Sequence, residues 1–98
     1  MENINTVLEI ISKEGLGSTD IVIKEWALMI ALSKIDKYQS ECDFFSHKYN
    51  MSFKDFDVYL HENKGKEIFR KEEDFEDWEF SLNALKWWSS KARDLRNA

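Results

Sequence analysis

Two stretches of this chain repeat apolar residues at alternating steps of three and four, and that spacing restricts the fold more than any other feature. In the first stretch Leu28, Ala31, Ile35, Tyr38, Cys42, Phe45 and Tyr49 follow steps of 3, 4, 3, 4, 3, 4. In the second, Phe75, Trp78, Leu82, Leu85, Ser89, Ala92 and Arg96 follow the same steps. Such a rhythm places each set along one side of an α-helix, as a seam about three heptads long. A strand would instead alternate at every second residue. The chain has 98 residues, three glycines and no proline, so little interrupts helices once they begin. The expected fold is all-α. It is a long helical hairpin or coiled-coil-like bundle in one domain, with a short N-terminal helix and a short capping helix, in a dimeric protein.

Local signals set the boundaries. Ile4, Val7, Leu8 and Ile11 recur at helical spacing, and Gly15 and Gly17 follow, so residues 1–17 read as a helix and a turn. Leu16 and Ile21–Ile23 are β-favourable, which leaves a short strand near 20–23 open. Ser18, Thr19 and Asp20 offer N-cap side chains for a long helix over 19–49. Trp26, Met29, Ile30 and Phe44 widen its apolar face near both ends, while Lys34, Asp36, Lys37, Glu41, Asp43 and Lys48 are assigned to water. Asn50 suits a left-handed helix end. Ser52 with Asp55 resembles a capping box, and Met51 can staple onto Phe56, so a short helix is expected over 53–62. Asn63 and Gly65 end it. "HENKGKEIFRKEED" reads as a loop docked by Ile68 and Phe69, and the last helix is expected over 73–96, with Trp88 and Leu95 supporting its weaker C-terminal seam.

Charge is unevenly distributed. The net charge is −5, with −2 over residues 1–71, −6 over 72–79 and +3 over 80–98. Acids at the start of a helix and bases at its end match the helix dipole, so the cluster Glu72–Glu79 needs no ligand to explain it. The absence of a basic stripe disfavours direct nucleic-acid binding and favours a basic protein partner. One cysteine, Cys42, excludes an internal disulfide. With no secretory signal or apolar run of spanning length, the chain reads as cytoplasmic, with no membrane association.

The residues offer little for catalysis or metal. Cys42, His47 and His61 lack the four paired ligands that zinc favours. The acids of the last helix include pairs at i, i+3 and i+4, but helix-start chemistry explains them. There is no glycine-rich phosphate loop or nucleophile elbow. No enzyme activity and no cofactor are expected.

The aromatic residues point elsewhere. Leu28, Ile35, Tyr38, Phe45, Tyr49, Trp78, Leu82 and Leu85 are assigned to the helix seam or a dimer contact. Phe80, Ala84 and Trp87 form a second row, rotated away from the seam. One partner helix covers only a narrow stripe, so Phe80 and Trp87 need another contact: the N-terminal helix, a second copy or a different protein. Phe80, Trp87, Trp88, Glu76 and Glu79 are the candidate partner-binding residues, the aromatics as anchors and the acids as attractors for a basic surface.

Lys48, Tyr49, Met51, Ser52, Phe53 and Phe56, followed by Asp74, Phe75, Trp78, Glu79, Leu82 and Leu85, resemble the pattern of a family of short prokaryotic antitoxin-like proteins of toxin–antitoxin pairs. The resemblance covers about sixty residues and leaves out the first twenty-five or so. Asn50 stands where that family would have glycine. The resemblance implies a non-catalytic binding protein that neutralises a small basic toxin of ribonuclease type by direct contact. The alternative is a homo-oligomeric scaffold or adaptor with no toxin partner. A DNA-binding autoregulator ranks third, because the balance is acidic.

Overall fold

The computed structural model describes residues 2–13, 19–63 and 69–97. Four helices follow one another: α1 (Glu2–Lys13), α2 (Thr19–Tyr49), α3 (Phe53–Glu62) and α4 (Phe69–Asn97). No strand occurs among the described residues; Ile21–Ile23, β-favourable taken alone, form part of the first turns of α2. Continuation of the long α2 helix, with Val22 buried on one side, overrides local β propensity there.

α2 and α4 pack along each other as a long antiparallel hairpin. Their register is set by the pairs Phe45–Trp78, Glu41–Ser81 and Tyr49–Asp74. The seam residues Ala31, Cys42 and Phe45 of α2 and Trp78 and Ala92 of α4 are buried. Leu28, Ile35, Tyr38, Leu82 and Leu85 are half-buried. The seams therefore meet within one chain.

The turn from α2 into α3 follows the local chemistry. Asn50 takes φ 51°, and the Met51 amide donates to the Ser46 carbonyl at 3.2 Å, the long bond of a left-handed helix closure. Ser52 is extended, and its Oγ accepts from the Asp55 amide at 3.1 Å, satisfying one of the donors that a helix start leaves unpaired. Asn63 closes α3 through its backbone amide and its side chain, which donate to Leu60 and Tyr59 carbonyls. α3 lays Phe56 and Leu60 against the hairpin. Phe56 is fully buried, with its ring 5.5 Å from Trp78 and 4.2 Å from Tyr49, centroid to centroid. Met51, Phe53, Tyr59 and Phe75 pack around this cluster.

α4 begins at Phe69, four residues ahead of the expected start. The charged run Arg70–Glu73 contains good helix formers and no breaker. Lys71 ties it down by donating to the Tyr59 hydroxyl at 2.8 Å and lying over that ring. Gly15, Gly17, Ser18, Gly65 and Ile68 lie outside the described residues, as does the Phe69 side chain.

The opposite end of the hairpin is open. α1 packs on α2, and Ile11 and Val22 are buried there. Ile4, Val7 and Leu8, the rest of the α1 apolar row, remain exposed. The radius of gyration is 20.1 Å, against about 13 Å for a compact domain of this length.

Candidate functional site: the outer faces of the hairpin

Phe80 and Phe44 project from opposite walls of a groove between α2 and α4. They are 65% and 61% exposed, far above the buried rings beside them. Ser40, Glu41, Phe45, Asp77 and Ser81 complete the lining. At its floor Ser81 is buried and donates through Oγ to Glu41 Oε2 at 2.6 Å. Glu41, assigned to water from the sequence, is thus half-buried: a short hydroxyl on the facing helix gives its carboxylate a partner. The edge of the Phe80 ring meets Tyr38, centroids 6.0 Å apart, and Phe44 meets Phe45 in the same manner at 5.3 Å. Each exposed ring is thereby braced against a seam ring, a rigid aromatic presented at low entropic cost.

Trp87 lies two turns further along α4 and is 55% exposed. It meets the half-buried Trp88 edge-to-face at 4.8 Å, and Lys91 Nζ stands 5.3 Å from its ring centre. That cation covers part of the indole from within the helix.

Glu76 and Glu79 face elsewhere. With Asp57, Leu60, His61, Glu72 and Phe75 they line a second groove, between α3 and α4. The five residues expected to form one partner-binding set are therefore distributed over three places: Phe80 in the α2–α4 groove, Trp87 and Trp88 along α4, and the two acids beside α3. The residues that stand with Phe80 are Phe44, Asp77 and Glu41. Sequence reading placed Phe44 on a widened apolar face and did not link it to Phe80, because the linkage depends on the register between two helices.

A third surface lies at the open end, where Trp26, Met29 and Ile30 line a shallow apolar depression. They are 48%, 66% and 55% exposed.

The acid cluster has one member with a structural role. Asp74 Oδ2 accepts from Lys48 Nζ at 2.6 Å and from the Tyr49 hydroxyl, joining the end of α2 to the start of α4. Burial acts to raise the Asp74 carboxyl, but the hydrogen bonds from Lys48 and Tyr49 and the lysine charge outweigh it and hold its pKa below the usual carboxylate value. Burial, then the bond to Asp74, pushes the Tyr49 phenol well above its ordinary value.

The groups considered for catalysis are occupied otherwise. Cys42 is buried in the seam; burial, then Asp43 and Glu41, raise its thiol pKa, so it stays protonated and a poor nucleophile. His47 and His61 are exposed, and each donates through Nδ1 to the carbonyl four residues earlier. No group of three metal-ligating side chains is assembled among the described residues. No described helix is long and apolar enough to cross a membrane. No protein-family model, curated protein or solved structure matches the chain.

Proposed function

We propose that this chain is a non-catalytic binding protein that grips a small basic protein through the α2–α4 groove. Phe44 and Phe80 act as apolar anchors and Asp77 attracts the partner's cations at the groove, with Glu76 and Glu79 on the adjoining α3–α4 face adding longer-range attraction. The specific form of this reading is antitoxin-like: a cytoplasmic prokaryotic protein that occludes a cognate toxin of ribonuclease type, whose RNA-binding surface would be basic because its substrate is polyanionic. The observation that carries the proposal is the pair of braced aromatic rings, Phe44 and Phe80, left more than half exposed beside Asp77. Large apolar side chains gathered beside charge on a small protein mark an interaction surface.

The test is to express whatever protein the adjacent reading frame encodes, alone and together with this chain; the reading requires that neighbour to be small, basic and toxic alone. The expected result is rescue of growth and co-purification, both lost with Phe44→Ser plus Phe80→Ser. A neighbour that is harmless alone, or that never co-purifies, would remove the antitoxin reading. A second reading, a homo-oligomeric scaffold or adaptor without a toxin, is favoured by a separate observation: ten of the fourteen exposed large apolar side chains among the described residues precede Ser33, and none of the ten lines this groove.

A further inference from the structure

We infer that the open end of the hairpin, formed by α1 and the first turns of α2, is the interface for a second copy of this chain. The inference holds whether the groove around Phe80 binds a toxin or nothing.

The amount of exposed surface is the first support. The chain exposes 7735 Å², whereas a compact monomer of its mass exposes about 5,900 Å². The excess is about 1,800 Å². If each copy covered half of its excess, the interface would total about 1,800 Å², a standard size for a specific complex; covering all of it would reach the range of obligate homodimers.

The register of the hairpin shows what α4 leaves uncovered at this end. Continued one residue for one from Phe45–Trp78, the end of α4 falls level with Trp26. The turns of α2 before Trp26 therefore run on without α4 beside them. α1 packs on α2, but Val7 and Leu8 of α1 and Met29 and Ile30 of α2 all remain exposed. Two helices per copy, each with an uncovered apolar face, complete a four-helix arrangement when a second copy docks about a two-fold axis.

Charge selects this end over the other. From Ile21 to Ser33 the only charged residues are Lys24 and Glu25, whereas Glu72–Glu79 holds six acids. Two copies meeting at the acidic segment would repel each other; two copies meeting at the neutral segment would not. A basic foreign protein is drawn to the acidic end, and the apolar face of α2 before Ser33 is left for the partner that offers the same surface.

Sedimentation equilibrium of the full chain tests this. The wild type is expected to be dimeric at micromolar concentration, and Met29→Glu plus Ile30→Glu to weaken the dimer on the order of a hundredfold or more, because charge would enter an apolar contact. Phe80→Ser plus Trp87→Ser should leave the dimer constant unchanged. A monomeric wild type, a dimer insensitive to the glutamates, or a dimer lost on changing Phe80 and Trp87 would each overturn the inference. Should the glutamate variant lose its helical signal, mixed isotope labelling of the wild type decides. Nuclear Overhauser contacts from the Met29 methyl of one copy to α1 of the other are expected, and their absence in a dimeric sample would contradict the assignment.

Discussion

At the end where α2 turns into α3, a closed aromatic core forms, with Phe44, Val58 and Phe80 left outside it. Phe45, Phe56 and Trp78 are buried, with Tyr49, Phe53 and Phe75 packed around them. At the other end, Trp26, Met29 and Ile30 are left in the open beside a helix that buries one residue of its apolar row. What separates the two ends is the third helix: α3 crosses the mouth of the hairpin and closes it, while α1 lies on α2 and leaves its own row uncovered. A two-helix seam buries only a stripe on each helix, so a third element decides whether an end is a finished core or an unfinished interface.

Mutations should divide along that line. The largest effect is expected from Phe56→Ala, which empties a fully buried site and should cost about 3–5 kcal/mol in urea unfolding. Trp26→Ala, measured at a concentration too low for self-association, should cost less than about 1 kcal/mol because its ring is already half exposed. Equal losses at the two sites would break the contrast. Next, Ser52→Ala removes the N-cap of α3 and should cost about 1 kcal/mol, with helix loss confined to α3 by chemical shifts.

pH should act on the closed end through Asp74 and Tyr49. The Asp74 pKa is lowered in the fold, so its stabilisation is complete above the unfolded value of about 3.9 and is lost as pH falls through the lower folded value. The Tyr49 pKa is raised, so its stabilisation is complete below the unfolded value of about 10 and is lost as pH rises toward the folded one. Asp74→Asn should flatten the acid limb and only reduce the alkaline limb, which burial of Tyr49 sustains; an unchanged acid limb would contradict the role given to Asp74. The smallest effect belongs to Lys48→Met. Lys48 is 47% exposed, and its ion pair should contribute only about 0.2–1 kcal/mol, less at high salt.

Much of the fold was legible because periodicity and capping chemistry are local. The two seams, the positive φ of Asn50 and the Ser52 cap are all written in short spans of residues, and each appears in the structure. The start of α4 was misplaced because the charged residues after Ile68 read as loop, although they are sound helix formers held by Lys71 on Tyr59. The candidate site was less legible. Phe80 and Trp87 stand outside the seam as the spacing required, yet Glu76 and Glu79 fall beside α3 rather than beside Phe80. Which residues share a groove depends on the stagger between α2 and α4, and no single helix encodes it. Ser81 was the available clue: a small polar residue three positions after a seam tryptophan lies on the side facing α2, where its hydroxyl meets Glu41.

The contrast between the ends is tested most directly by amide hydrogen exchange along the wild-type chain at two protein concentrations. The expected pattern is slow exchange in α2 from Glu41 to Tyr49, in α3 and in α4 from Asp74 to Leu85, unchanged by dilution. α1 and the α2 segment from Ile21 to Ile30 should be protected at the higher concentration and exchange rapidly at the lower. Protection of that segment which survives dilution to a monomer would contradict the claim that the open end is completed by another copy.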